Sequence, residues 1–465
     1  MDGVVAATAM SMVEVAAESR RIYDVVIFGA SGFTGKYVIR EALKHLSVPS
    51  SPLKTIALAG RSKSKISSAL QWAASPSTPP SIPIIQADVL SRSSLVVLCR
   101  QTRVLLNCVG PYQQYGEPVV SACVESGTDY LDITGEPDFM EKIEMDYHAK
   151  AVEAGCLVVS ACGFDSIPAE IGAIFNSRQW EGVSAPNKIN AYLKIESDKG
   201  RVVGNIGTFA SVVHGVANSK KIQGSQQSLA RRDDPMIPGG LPEEAIIDHQ
   251  KDVGVWAVKL PSADAILVQK TLSILKENPT GLVGDKESEE ECMKRERFWS
   301  TVKPAHFSVK LSSKSLLGTV LNIIFGMLLL LFSSFSLGRW LILKYPEVFT
   351  LGAFRKTGPT EEEVMGTSFK MWFVGEGYSD VALVAQPDSK LDTQIITRIS
   401  GPDLGYMTTP IALIQCALVM LGDRTKLPKA GVYPPGIVFG ASDLQKRLEE
   451  NGISFDVISR KSLFP

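Results

Sequence analysis

A glycine-rich turn near the start of the chain narrows the folds that are open to it. The run "YDVVIFGA", beginning at Tyr23, is short, apolar and ends in a small-residue turn, which is typical of a buried parallel strand. Gly29, Gly32 and Gly35 follow in "VVIFGASGFTG", and the helical pattern "FTGKYVIREALKHL" overlaps the end of this turn. A strand, a glycine turn and a helix in this order begin a βαβ unit with a dinucleotide site, so we predict dinucleotide binding here.

The turn supplies two properties that a pyrophosphate requires. Small residues let the backbone approach the phosphates, and the N-terminus of the following helix offers free N–H groups and the positive end of its dipole. A tight turn without a ligand is the alternative interpretation. The predicted cofactor-binding loop consists of Gly29, Ala30, Ser31, Gly32, Phe33, Thr34 and Gly35.

Strand and helix patterns continue to alternate after this turn. "TIALAGR", "IIQAD", "RVLLNCVGP", "DYLDIT" and "CLVVSACG" are separated by helical patterns, which favours an α/β fold with a doubly wound parallel sheet of Rossmann type. Beyond them, "NAYLKIES" and "TSFKMWFVGEG" alternate with a period of two residues, as half-exposed strands do. We therefore predict a disordered lead-in at 1–21, a Rossmann domain at 22–163, an α+β domain at 164–400 and C-terminal helices at 401–465.

The end of the second strand, "LAGRS", bears on the choice of cofactor. NAD-binding folds usually place Asp or Glu here, because a carboxylate accepts hydrogen bonds from the ribose 2′-hydroxyl. This chain has Arg61 and Ser62 instead, with Lys63 beside them, and these groups suit a 2′-phosphate. We expect NADP as the cofactor, with NAD as the alternative. A solvated loop before a helix is the interpretation without a ligand role.

Two later strand ends add cofactor candidates, because ligands of parallel sheets bind at the carboxyl ends of the strands. Asp88 closes the third strand, where its carboxylate could accept a hydrogen bond from the adenine amino group or could cap the following helix. "NCVGPY" ends the fourth strand beside the expected nicotinamide ribose. Asn107, Gly110 and Pro111 of this motif are therefore predicted to lie at the cofactor site.

Residues beyond two strand ends could supply the proton that often accompanies hydride transfer. Tyr112, just beyond the fourth strand, and Asp165, in "GFDS" after a later strand, are our catalytic candidates. Asp132, in "LDITGE", lies on the same side of the sheet. Structural roles are the alternatives, since Tyr112 could simply stack on the nicotinamide and Asp165 could cap the helix that starts at Ser166.

Composition argues against several other classes of function. The 48 basic and 49 acidic residues nearly balance, so no general basic field marks a nucleic-acid partner. The seven cysteines form no CxxC pair, and the five histidines form no HxxxH pair. We therefore predict no nucleic-acid partner and no metal site.

A long apolar segment stands apart from these patterns. From Ser315 the chain runs without a charge through "SLLGTVLNIIFGMLLLLFSSFSLG", which is long enough to cross a bilayer, since that takes about 20 apolar residues. Trp340 and Lys344 resemble an interfacial anchor. Gly326 and the break at "SSFSLG" also allow a re-entrant or hairpin insertion. We predict association with a membrane or lipid droplet through 315–343.

The N-terminus carries no clear cleavable targeting signal. Three acidic residues precede the first basic residue, Arg20: Asp2, Glu14 and Glu18. A secretory signal begins with basic residues, and a transit peptide contains arginine without acidic residues. The segment therefore fits neither class of signal.

Several motifs together resemble the saccharopine dehydrogenase-like oxidoreductases. They are "VVIFGASGFTG", "LAGRS", "NCVGPY", "YLDITGE", "ACGFDSIP", "VMGTSFKMWFVGEG", "SGPDLGYMTTP" and "GVYPPGIVFG". This group shares its Rossmann half with true saccharopine dehydrogenases, and its nearer relatives include trans-acting enoyl reductases of complex lipid synthesis. The resemblance implies that the chain leaves the Rossmann domain, builds an α+β domain and returns with terminal helices near the cofactor domain.

The resemblance also sets expectations for function. It implies an intracellular NAD(P)-dependent oxidoreductase that acts on a lipid or lipid-like substrate at a mitochondrial, membrane or lipid-droplet surface. A homodimer is one assembly that the sequence leaves open. A catalytically weak nucleotide-binding scaffold and a genuine saccharopine dehydrogenase of lysine metabolism are the alternatives. If 350–465 packs against 22–163, both flanks of the apolar segment lie in one compartment, so we predict docking from one side.

Overall fold

The computed structural model describes residues 21–229, 237–240, 245–260, 262–386 and 389–464. The predicted lead-in at 1–21 lies outside these ranges except for Arg21. The Arg21 guanidinium donates hydrogen bonds to the carbonyl oxygens of Thr102 (2.6 Å) and Ser126 (2.7 Å). Arg21 is therefore part of the folded domain, and its assignment to the lead-in is wrong.

Strands and helices are numbered here in chain order. The strands are β1 (Tyr23–Phe28), β2 (Ile56–Gly60), β3 (Ile84–Gln86), β4 (Thr102–Asn107), β5 (Asp129–Asp132), β6 (Leu157–Val159), β7 (Ala185–Ser197), β8 (Gly204–Asn205), β9 (Ile247–Gln250), β10 (Val255–Lys259), β11 (His306–Ser313), β12 (Phe354–Arg355), β13 (Thr367–Tyr378), β14 (Thr393–Pro402), β15 (Gly431–Val432) and β16 (Ser454–Ser462). The α-helices are α1 (Phe33–Leu46), α2 (Lys63–Ala74), α3 (Arg92–Cys99), α4 (Tyr112–Glu125), α5 (Pro137–Ala154), α6 (Ile167–Ser177), α7 (Ile206–Leu229), α8 (Ala263–Glu277), α9 (Glu289–Ser300), α10 (Leu316–Ser333), α11 (Ser336–Lys344), α12 (Pro346–Phe349), α13 (Glu361–Met365), α14 (Thr409–Asp423), α15 (Pro435–Phe439) and α16 (Leu444–Glu450). A π-helical turn covers Leu404–Thr408, and 3₁₀ helices cover Val381–Ala385 and Arg424–Lys426.

The first sheet is parallel and has the strand order β15-β6-β5-β4-β1-β2-β3. Its run from β3 to β6 has the order of the dinucleotide-binding fold, so the predicted Rossmann-type sheet is confirmed. Successive β1 residues explain the two layers of helices. Val25 and Ile27 pack with α1 and α2, whereas Val26 and Phe28 pack with α3, α4 and α5. Both faces of the sheet are therefore covered, which is why its strands are almost wholly apolar.

The second sheet is mixed and has the strand order β16-β14-β13-β7-β11-β10-β9. The central strand β7 runs parallel to β11 and antiparallel to β13. Helix α6 lies across this sheet, and its buried Asn176 donates hydrogen bonds to the Phe373 carbonyl oxygen (3.0 Å) and to Thr397 Oγ1 (3.1 Å). Since α6 begins just beyond β6, it joins the second sheet to the carboxyl edge of the first.

The last part of the chain returns to both sheets. Every residue of α14 from Thr409 to Leu421 is buried, and this helix packs against α1 and β4. Strand β15 then extends the first sheet, and β16 pairs with β14 at the edge of the second. The predicted C-terminal helices over 401–465 are present, but the prediction omitted β15 and β16. An edge strand is held by main-chain hydrogen bonds, and its exposed, mixed polarity hides it in the sequence.

The apolar segment forms two helices with a break between them. Helix α10 has 18 residues and a length of about 27 Å at 1.5 Å per residue. The chain turns at Phe335 before α11, where the Arg339 guanidinium donates a hydrogen bond to the Ser333 carbonyl oxygen (2.8 Å). The two flanks of this segment lie in one sheet, since β11 before it and β13 after it both pair with β7.

Candidate active site

The glycine loop between β1 and α1 is shaped by close backbone contacts. Gly29 has φ +84°, which is strained for other residues, and a Cβ there would lie 2.8 Å from Val109 Cγ2. A Cβ on Gly35 would lie 2.3 Å from the Gly29 carbonyl oxygen. Gly32 occupies the N-cap of α1, and both it and Ser31 are exposed. The loop therefore leaves the first N–H groups of α1 accessible to an anion.

The predicted adenosine end lies at the ends of β2 and β3. The Arg61 side chain is exposed, and its carbonyl oxygen accepts a hydrogen bond from Gln86 Nε2 (3.1 Å). Ser62 caps α2, because its Oγ accepts a hydrogen bond from the Lys65 N–H (3.4 Å). An exposed guanidinium at a helix N-terminus suits a phosphate monoester, because its N–H groups donate charge-assisted hydrogen bonds to the phosphate oxygens.

Asp88 lies nearby but does not cap the next helix. Its Oδ1 accepts a hydrogen bond from the Leu90 N–H (3.0 Å), whereas Ser91 occupies the N-cap of α3 and accepts from the Ser94 N–H. The capping interpretation of Asp88 is therefore wrong. Its contact with the adenine amino group stays a prediction.

The predicted nicotinamide end lies where β4 turns into α4. Asn107 is buried, and its Nδ2 donates a hydrogen bond to Tyr130 Oη (3.0 Å). Its Oδ1 accepts from the Val109 N–H (3.0 Å), which fixes the turn that meets Gly29. Gly110 is exposed and Pro111 is half-buried, so these two residues present the backbone at this end of the sheet.

Tyr112 points into the protein rather than outward. Its hydroxyl donates a hydrogen bond to the Asn107 carbonyl oxygen (2.9 Å), and burial raises the pKa of this phenol well above its ordinary value. A phenol that is buried and already donating has no free proton for a substrate. Proton donation by Tyr112 stays a prediction, and this arrangement argues for a structural role.

A buried carboxylate that the sequence did not single out caps α4. Glu136, in the loop after β5, accepts hydrogen bonds from the N–H groups of Tyr112 (3.0 Å) and Gln113 (2.8 Å). It also accepts a hydrogen bond from Ser211 Oγ (2.8 Å), which comes from α7. The sequence gives no sign of this role for Glu136, because its hydrogen-bond partners come from distant parts of the chain.

The two aspartates predicted beyond β5 and β6 differ in their surroundings. Asp132 is fully buried and accepts hydrogen bonds from Tyr130 Oη (2.9 Å) and Ser160 Oγ (3.0 Å). Burial raises its pKa to about 6 against the opposing effect of these bonds. Asp165 is exposed, and desolvation of its carboxyl group raises its pKa above the ordinary value. Ser166 occupies the N-cap of α6, so the capping interpretation of Asp165 is wrong.

Asp165 lies against Gly135, where a Cβ would come within 2.6 Å of Asp165 Oδ2. Two further carboxyl groups, both missed from the sequence, lie nearby on α6 and α8. Asp264 is 7% exposed, and its pKa is raised by burial and then by the negative charge of Asp165. Glu170 accepts hydrogen bonds from Ser166 Oγ (2.6 Å) and from Thr271 Oγ1, and burial raises its pKa. Of this group, only Asp165 has an accessible side chain.

Comparison with known proteins adds to this geometry. Residues 25–159 match the family model described as the saccharopine dehydrogenase NADP binding domain. An Arabidopsis thaliana protein named "Probable mitochondrial saccharopine dehydrogenase-like oxidoreductase" is 57% identical over 441 residues, covering 94% of this chain and 97% of that protein. The chain belongs to the saccharopine dehydrogenase-like oxidoreductase family.

Two further comparisons of this saccharopine dehydrogenase-like oxidoreductase also cover most of the chain. A Caenorhabditis elegans protein named "Lipid droplet localized protein" is 30% identical, covering 95% of this chain and 99% of that protein. The apo saccharopine dehydrogenase (L-Glu forming) from Saccharomyces cerevisiae covers 94% of this chain and 99% of its own, with a TM-score of 0.52 and 11% identity. That likeness concerns the fold alone.

The expectations of an oxidoreductase and of NADP as its cofactor are confirmed by the family assignment. The described residues fit this cofactor. The backbone at Gly29 and Gly35 is packed too closely for any side chain, which gives the tight turn, and the N-terminus of α1 is open to the pyrophosphate. Among the described ranges, no group of three His, Cys, Asp or Glu side chains is arranged to hold a metal ion.

Proposed function

We propose that this oxidoreductase acts on a lipid or lipid-like substrate at the surface of an intracellular membrane or lipid droplet. The observation that carries the proposal is the polarity of α10. Within the part of the chain that the structure describes, two apolar helical stretches are long enough to cross a membrane, but Leu404–Lys426 is 83% buried whereas Leu316–Ser333 is only 11% buried. The stretch Leu404–Lys426 lies in the core. The apolar surface of α10 is exposed instead, and an exposed apolar surface of this size marks a site of interaction.

The side of α10 that faces the protein is the more polar one. Thr319 and Ser333 are its buried side chains, and Asn322 is half-buried at helical spacing from Thr319. Ile323, Leu329 and Phe332 are half-buried as well. The exposed side chains include Leu317 (68%) and are all apolar from Leu316 to Leu331: Leu316, Leu317, Val320, Leu321, Ile324, Phe325, Met327, Leu328, Leu330 and Leu331. A helix of a soluble domain has the opposite arrangement, so lipid is the solvent that suits this surface.

The flanks of α10 favour docking from one side of a lipid surface. Both flanking strands pair with β7, so a single crossing would separate neighbours in one sheet. Beyond the break, Trp340 and Tyr345 are exposed, and Lys344 Nζ lies 4.3 Å from the centroid of the Trp340 ring. Aromatic rings beside a lysine are typical of the boundary between lipid and water.

The segment that follows the lipid-facing helices leads to the cofactor loop. The segment after α12 reaches the start of α1, where a Cβ on Gly358 would lie 2.5 Å from the Phe33 ring. This connection between the lipid-facing helices and the start of α1 supports a substrate that reaches the glycine loop from the lipid surface. The name of the Caenorhabditis elegans relative supports a lipid surface, and the mitochondrial name of the Arabidopsis relative leaves the organelle open.

The chemistry follows from the placement of the polar groups. Bound NADPH supplies the hydride that reduces the acceptor. The glycine loop would hold its pyrophosphate and Arg61 its 2′-phosphate, which leaves the Gly110–Pro111 turn at the reactive end. Asp165 is our candidate proton donor, because the residue is exposed beyond the end of β6 and its raised pKa helps it retain a proton.

A flotation and turnover experiment tests the proposal. We expect wild-type protein to float with phosphatidylcholine vesicles or triacylglycerol droplets and to oxidise NADPH with acyl acceptors presented in them. Replacing Leu317 and Leu331 with glutamine should abolish flotation. In the matched control, glutamine replaces Met145 and Val152, two exposed apolar residues of α5, and this variant should float normally. Wild-type protein that stays in solution, or that turns over saccharopine alone, would overturn the proposal.

A further inference from the structure

The carboxylate of Glu136 sets the start of α4. Glu136 is 1% exposed and accepts hydrogen bonds from the first two N–H groups of this helix, those of Tyr112 and Gln113. These N–H groups have no acceptor within the helix, and a carboxylate at a helix N-terminus is favoured by the helix dipole. Gly110 and Pro111 come immediately before α4. The position of the turn at the nicotinamide end therefore depends on Glu136.

A third hydrogen bond ties this carboxylate to the second domain. Ser211 Oγ of α7 donates to Glu136 Oε1 at 2.8 Å, on the same oxygen that accepts from the Tyr112 N–H. Hydrogen bonds to an ionised group are roughly twice as strong as neutral ones. The two backbone N–H groups already suffice to fix the helix start, so the Ser211 contact adds a connection between domains rather than a cap.

The same turn of α7 also contacts the lipid-facing helices. Phe209 and Val213, two residues on either side of Ser211, are fully buried and form a cluster with Ile342 of α11. Leu329 and Phe332 of α10 pack against this cluster. One short stretch of α7 therefore contacts the apolar helices on one side and Glu136 on the other.

We propose that Glu136 is a positioning residue for the nicotinamide end of the site, and that Ser211 couples its position to the lipid contact of α10 and α11. The inference rests on the proposed function, because α10 must meet lipid. When lipid covers α10 and α11, the cluster that they form with Phe209 and Val213 changes its packing, and α7 carries this change to Ser211. Glu136 then shifts with the N–H groups that it holds, so the reactive end of the site differs between the free and the lipid-bound protein.

The fluorescence lifetime of bound NADPH tests this coupling without any turnover. The lifetime is measured with and without phosphatidylcholine vesicles for wild type, Ser211→Ala and Ser211→Thr, and flotation is recorded for each. We expect vesicles to change the lifetime in wild type, the change to fall several-fold in Ser211→Ala, and threonine to restore it because it keeps the hydroxyl. All three proteins should float equally.

The outcomes separate this inference from the proposal on which it rests. Wild-type protein that floats with vesicles but shows no change in lifetime overturns the coupling alone. A full lifetime response in Ser211→Ala overturns it as well, because the hydrogen bond is then unnecessary. Wild-type protein that does not float overturns the proposed function and, with it, the coupling.

Discussion

Gly35 lies so close to Gly29 that a Cβ on it would be 2.3 Å from the Gly29 carbonyl oxygen. No rotation of a side chain can relieve that contact, since the obstructing atom belongs to the backbone. We expect Gly35→Ala to lower the free energy of unfolding by about 1–3 kcal/mol and to weaken NADPH binding by about tenfold or more. Urea unfolding and fluorescence titration measure the two effects. Gly326→Ala is the matched control, because nothing lies within 4 Å of its added carbon; equal losses in both variants would contradict the argument.

Arg61 should set the preference for NADP. Its side chain is exposed at the end of β2, where a guanidinium can meet the 2′-phosphate without steric obstruction. Loss of a hydrogen bond to a charged group costs about 1.5–3 kcal/mol, so Arg61→Ala should weaken NADPH binding roughly ten- to hundredfold. NADH binding should change little. Titration of both cofactors checks this, and an equal loss for the two would remove Arg61 from the 2′-phosphate site.

Asp165 and Asp88 should affect different steps of the reaction. We expect Asp165→Asn to lower kcat by about 10²–10⁴ with NADPH affinity unchanged, because a proton donor acts in the chemical step. In wild type, kcat should fall as the pH rises through the raised pKa of Asp165, and the variant should lose this dependence. Asp88→Asn is the control, and should weaken NADPH binding without lowering kcat. A pH profile that Asp165→Asn leaves unchanged would exclude the assignment.

Asp132 should make stability depend on pH. Its pKa is raised by burial from 3.8 to about 6, so the folded protein holds a proton that the unfolded chain has released. This contribution is fully present below pH 3.8 and is lost as the pH rises through about 6. A shift of about two units corresponds to about 3 kcal/mol. Urea unfolding of wild type and Asp132→Asn from pH 4 to pH 8 should show wild type losing stability relative to the variant up to about pH 7; parallel curves would contradict the linkage.

The parts of the site that could be predicted are those with local signals. The glycine loop and the apolar strand before it depend on neighbours in the sequence, and the predicted sheet agrees with the structure. Asp88 shows where local reasoning stopped, because Asp and Ser are both favoured helix caps and Ser91 takes the position. The length of the apolar segment and its break within "SSFSLG" were readable from the sequence, but the side of α10 that faces the protein was not.

Other features depend on contacts between distant residues. Glu136 meets Tyr112 across 24 positions and Ser211 across 75, and no spacing rule joins residues so far apart. Asp264 approaches Asp165 only because α8 packs beside α6. Such contacts are made by tertiary packing, so an inspection of composition and periodicity could not find them.

Helix α10 and its two flanks should differ in their contact with lipid. Lys314 and Lys356 are exposed on the two flanks, and Leu328 is exposed on α10. Each is replaced with cysteine and treated with a membrane-impermeant maleimide outside sealed vesicles, with wild type as the background for its own cysteines. Both flanking positions should label equally with and without vesicles, because β11 and β13 remain in one sheet with β7. Leu328→Cys should be protected several-fold by vesicles alone, since lipid then covers α10. Protection of one flank and not the other would mean that the segment crosses the bilayer, and labelling of Leu328→Cys in both conditions would mean that α10 does not meet lipid.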